Sequence, residues 1–128
     1  MSTPDLTDLT DYLHYWQTHA QRVVREHVDK IRATVDGGCG GTTIIAVSVT
    51  DTLFEAAAWL NAIDLIQRRR GATLSEVRDF VDDQLRNSSC ALANSPSPAS
   101  NLARIHQVMV WSALLSQFTR EGWGAQPQ

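Results

Sequence analysis

Residues 51–71 read DTLFEAAAWLNAIDLIQRRRG. At about 100° per residue, Leu53, Ala56, Leu60, Ile63 and Ile66 fall on one face of a helix, and Gly71 after Arg68-Arg69-Arg70 marks its end. Phe54, Ala58 and Leu65 fall on a different side. A helix that is apolar on two sides is central in a bundle or shared with a second subunit. This stretch therefore sets the fold class, and Phe54, Ala58 and Leu65 are the expected partner interface.

Upstream, residues 42–50 are rich in β-branched side chains, but a lone strand there would find no ladder partner elsewhere in the chain. They are read as the start of the same helix. Gly37-Gly38-Cys39-Gly40-Gly41 places four glycines in five residues, which forfeits helix propensity and ends the preceding element. That element runs from about Pro4 to Val35, with Leu6, Leu9, Leu13, Trp16, Ala20, Val24, Ile31 and Val35 on one stripe. Ser2 or Thr3 is its expected cap, Pro4 suits its first turn, and Asp5 and Asp8 complement the helix dipole.

Downstream, Thr73-Leu74-Ser75-Glu76 is a capping-box pattern. It opens a short amphipathic helix through Leu74, Val77, Val81 and Leu85 to about Arg86. Residues 87–100 collect Ser and Asn with two Ser-Pro steps and are expected to form an irregular, mobile loop. The last helix, capped by Ser100 or Asn101, extends to about Arg120 with two apolar faces. Leu102, Ile105, Met109 and Ala113 form one, and Trp111, Leu114, Leu115 and Phe118 the other. Residues 122–128 are expected to fray, with Trp123 a candidate to dock. The expected architecture is thus all-α, a single domain over residues 1–128, with about four helices and a long N-terminal one.

Composition agrees with a globular chain. Of 128 residues, 43% are hydrophobic and 20% charged, with only 4 Pro and 7 Gly, so the bulk is not disordered. The net charge of -3, from 11 basic and 14 acidic residues, has the wrong sign for a strongly basic nucleic-acid coat. Cys39 and Cys90 lie far apart with no ligands at zinc spacing, so neither a disulfide framework nor a metal site is expected, and no cofactor. The acidic start lacks the basic n-region of a signal peptide. Asp51, Glu55 and Asp64 interrupt the most apolar window, so no membrane span is expected. A cytoplasmic protein is the resulting expectation.

Three constellations bear on chemistry. His27 lies on the stripe of the first helix and His106 on an apolar face of the last. Folding that turns both inward near Glu55 or Asp64 would make an acid–base or metal site, against the commoner outcome of a histidine satisfied by one hydrogen bond. Arg68, Arg69 and Arg70 form the densest basic run. The segment from Gln67 to Val77 locally resembles the entry of a repressor-type helix-turn-helix, which implies nucleic-acid contact through these arginines. Asp79, Asp82 and Asp83 follow where a recognition helix is required, and carboxylates repel phosphate. Three arginines at a helix C-terminus also simply complement its dipole. Glycine amides around Cys39, ahead of a helix, would suit an anion nest, but the lysine of a phosphate-binding loop is missing and a flexible inter-helix turn is the commoner outcome.

The function expected from these features is a non-enzymatic helical interaction or regulatory module. It would act as a homo-oligomer or as a subunit of a larger assembly, with itself or another protein as partner. The alternatives are a nucleic-acid-binding regulator using Arg68, Arg69 and Arg70, and a small helical enzyme or metal-binding protein using His27 and His106.

Overall fold

The computed structural model describes residues 6–37, 42–69, 71–95 and 98–124. The side chains of 31, 33–37, 42–51 and 98–100 lie outside that description. Four helices follow in order: α1 (Leu6–Gly37), α2 (Thr42–Gln67), α3 (Leu74–Ala93) and α4 (Pro98–Glu121). The all-α bundle with a long first helix is the observed fold, and residues 42–50 are helical. The expected caps Ser2 and Thr3, and the glycine turn with Cys39, fall outside the described residues.

Helix α2 is the shared element. It packs against α1 on one side and α4 on the other, and α3 covers α4. The α1–α2 pair is antiparallel: Trp16 meets Trp59, and Val23 stands near Thr52. The α3–α4 pair is also antiparallel. Phe80 meets Trp111, Arg78 reaches Thr119, and Arg104 donates to the Ala91 carbonyl at 2.9 Å. A single apolar core joins Leu9 and Leu13 of α1, Ala62, Ile63 and Ile66 of α2, Val77 and Val81 of α3, and Leu114 and Phe118 of α4.

The α3 start is the capping box read from sequence. Thr73 Oγ1 accepts from the Glu76 N–H at 3.2 Å, and the Glu76 carboxylate accepts from the Thr73 N–H at 3.4 Å. Its end lies well past the expected one. Residues 87–93, placed in a loop by their Ser and Asn content, continue the helix to Ala93. Asn94 closes it, donating to the Cys90 carbonyl from its backbone N–H and from its side chain. Packing on α4, where Arg104 holds the Ala91 carbonyl, outweighs the poor propensity of Asn87-Ser88-Ser89. Helix α4 likewise begins at Pro98, earlier than Ser100 or Asn101. Proline is tolerated there because the first-turn N–H has no intrahelical acceptor.

Over residues 122–124 the chain forms a turn where fraying was expected, with Trp123 docked; residues 125–128 lie outside the described residues. Gly122 takes the left-handed conformation (φ 70°), so that the Trp123 N–H reaches the Phe118 carbonyl at 2.9 Å and the Gly122 N–H the Thr119 carbonyl at 3.4 Å. This is a Schellman cap, and its usual apolar contact is present as an edge-to-face pair of Phe118 and Trp123 with centroids 5.4 Å apart. Arg78 donates to the Trp123 carbonyl at 3.2 Å. At Gly124 (φ 71°) a Cβ would stand 2.6 Å from the Leu74 carbonyl oxygen, so only glycine lets the turn lie on the first turn of α3.

Leu114 is fully buried and Met109 is 57% exposed on the same helix. Leu114→Ala is expected to lower stability by about 2–5 kcal/mol, and Met109→Ala by no more than about 0.5 kcal/mol. Urea unfolding followed by circular dichroism measures both. Equal losses would mean that α4 is rotated about its axis.

Candidate functional site

Along α2, Glu55 precedes Trp59 by one turn, Ala62 by two and Ile66 by three, so it points along the inward arc of the helix. Trp59, Ala62 and Ile66 are buried, whereas Glu55 is exposed. Glu55 borders two clefts, which share Trp16, Glu55 and Trp59 as lining. The smaller, about 90 Å³, lies between α1 and α2 and includes His19 and Val23. The larger, about 200 Å³, lies between α1, α2 and α4 and adds Tyr12, His106, Met109, Val110 and Ala113.

A chain of rings fixes the α1 wall. Trp16 and Trp59 stack at 4.4 Å with planes 2° apart. That separation exceeds van der Waals contact and so marks an offset stack, the favoured parallel geometry. Tyr12 meets Trp16 edge-on at 6.4 Å and Trp123 at 5.7 Å, which ties the cleft to the C-terminal cap. On the outer side, Tyr15 lies parallel to His19, and both rings stand edge-on to Trp16. Burial raises the pKa of the Tyr12 phenol above 10.0, opposed by the hydrogen bond with Trp16 and the charge of Arg120.

The expected site residues are distributed as follows. His106 is 6% exposed and lines the larger cleft with Glu55. His27 is not among the residues of either cleft; its Nδ1 lies 2.7 Å from the Val23 carbonyl. A carbonyl only accepts, so Nδ1 carries the proton and the ring is held by its own helix. Asp64, the other carboxylate considered, pairs with Arg68 at 2.9 Å. Among the described residues, no group of three or more His, Cys, Asp or Glu is placed to hold a metal ion.

The arginine run is divided. Arg68 is in that exposed pair, Arg69 lies over the Phe80 ring at 3.8 Å, and Arg70 falls outside the described residues. Of the expected interface, Ala58 is buried within the chain's own core and Leu65 packs against it, while Phe54 is half-exposed. The four-helix packing covers most of this second face of α2. Among the described residues, the large apolar side chains that stay exposed are Leu6, Tyr15 and Val28 on α1 and Ile105 and Met109 on α4.

Comparison with family models, curated proteins and solved structures gives no match to this chain.

Two predictions follow from these contacts. The folded state holds the Tyr12 proton to a higher pH than the unfolded chain does. The associated stability is therefore fully present below pH 10.0 and is lost as pH rises through the folded value. Urea midpoints at about pH 9 and about pH 11, on either side of an ordinary tyrosine pKa, should fall more for the wild type than for Tyr12→Phe. An identical fall would place the phenol in solvent. For Arg69, replacement by Gln removes the contact with Phe80 and should cost about 0.5–1 kcal/mol, measured by thermal unfolding against Arg68→Gln, whose exposed pair contributes less.

Proposed function

We propose that this chain is a non-enzymatic helical interaction module that works as a homo-oligomer. Two copies would pair through the lips of the cleft on α1 and α4. The observation that carries this reading is the position of the large exposed apolar side chains. Met109 (57% exposed) lines the larger cleft with Ile105 (41%) one turn before it, and Tyr15 (64%) stands against Trp16 and His19, which line the smaller one. Scattered apolar residues are normal on a surface, but exposed ones gathered beside a cleft are characteristic of an interface. Pairing of copies across a two-fold axis brings each lip against its counterpart without any further component. No described helix is long and apolar enough to cross a membrane, and a cytoplasmic setting is the one proposed.

The module is expected to be a dimer or larger species at micromolar concentration by light scattering. Ile105→Glu combined with Met109→Glu should shift it to monomer while leaving its helical circular dichroism unchanged. A wild type that stays monomeric across the concentration range would remove the proposal.

A further inference from the structure

The outer face of α1 carries its charges in a self-complementary order. Asp8, Asp11, Tyr15, Thr18, Arg22 and Arg25 recur at spacings of three and four, so they form one stripe opposite Leu9, Leu13 and Ala20, and all are exposed. From Leu6 to Gln21 the helix holds these acids and no Lys or Arg; its first arginine is Arg22. Asp8, in the first turn, complements the helix dipole, but that effect fades within a turn and does not reach Asp11. Asp11 has no Lys or Arg three or four positions away along the helix, and Asp8 repels it from three. Glu26 and Asp29 follow Arg22 and Arg25 by four, the order of charges that pairs less well along a helix. At the middle of the stripe Tyr15 is 64% exposed, with its ring parallel to that of His19, whose Nδ1 lies 3.3 Å from Arg22 Nη2.

We propose that this stripe docks on the same stripe of a second copy, with the two α1 helices antiparallel and the two-fold axis crossing them at the level between Trp16 and Gln17. The inference rests on the pairing of copies proposed above and fixes its direction and register. An axis along α1 would run the helices parallel, setting each acid against its own counterpart and each arginine against its own. Like charges facing each other across an interface are costly, so the parallel arrangement is disfavoured. An axis across α1 reverses one helix. Asp11 then meets the partner's Arg22, Asp8 the partner's Arg25, and Tyr15 the partner's Thr18, and symmetry makes each contact twice. One register serves every pair because the acids are spaced as the arginines are. Thr18 is small enough to take the Tyr15 ring, and this central contact supplies affinity. The exposed ion pairs on either side add little strength but set the direction. An unrelated partner would have to reproduce this order of acid, ring and base, whereas a second copy carries it by symmetry.

The test is charge reversal in the full chain, read by sedimentation equilibrium over a concentration series, with circular dichroism as the check on folding. Asp11→Arg and Arg22→Asp should each weaken self-association at least about tenfold, since each sets like charges together twice. The helical signal should stay unchanged, because both side chains are exposed. The double variant Asp11→Arg, Arg22→Asp restores opposite charges and should return to within about threefold of the wild type. Mixing the single variants, one of them tagged, should give a heterodimer, because one then offers only arginine at positions 11 and 22 and the other only aspartate. Added salt should weaken the wild-type pair and strengthen that of either single variant. Wild-type association that survives both reversals, or a folded double variant that does not regain it, overturns this docking and leaves the pairing of copies standing. A wild type that is monomeric throughout ends the pairing itself, and this inference with it.

Discussion

The structure depends on one constraint, that α2 carries apolar side chains over too wide an arc for any single neighbour to cover. Ala56 and Ile63 lie on one flank of that arc, Ala58 on the other, and Trp59, Ala62 and Ile66 between them, all buried. Covering both flanks requires a helix on each side, which α1 and α4 supply. Burial of this surface from water is the main favourable term in the fold, and it places α2 in the middle. Helix α3 then has only one surface left to cover, the outer side of α4, where Val77 and Val81 are its buried residues.

Two polar devices lock the far end of this arrangement. The capping box at Thr73 and Glu76 starts α3, and the Schellman turn at Gly122 and Trp123 ends α4. The two ends are joined directly, since Arg78 of α3 donates to the Trp123 carbonyl and Gly124 lies against the Leu74 backbone. Trp123 also touches Tyr12 of α1, which ties the end of α4 to the first helix. Away from these ends, Glu55 and the Trp16–Trp59 stack border the larger cleft.

The candidate site was only partly legible from residues in line. His106 was in view as an inward-facing group near Glu55 or Asp64, and it lines one cleft with Glu55. His27 resembled His106 in its helical register, yet α1 extends past the cleft and its imidazole is satisfied by the Val23 carbonyl instead. Tyr12, Tyr15 and His19 escaped notice because they lie beside the main stripe of α1 and not on it. The available signal was Glu55 itself, one turn before Trp59 and two before Ala62. A charge at that register needs either a buried partner or an opening, because an unpaired buried carboxylate is too costly to keep.

Local chemistry alone determined the helix count, the all-α class, the capping box at Thr73 and the central role of α2, because each is written in side-chain periodicity or in a short hydrogen-bonding pattern. Tertiary structure alone decided where α3 stops, how Trp123 and Gly124 dock, and which apolar faces stay open. Asn87-Ser88-Ser89 disfavours helix, but packing on α4 and the Arg104 contact override a propensity of a few tenths of a kcal/mol per residue. Phe54, Ala58 and Leu65 read as a surplus face, and the chain's own helices took up two of the three. Exposure depends on how helices diverge in space, a property of their crossing and separation that the periodicity of any one helix does not contain.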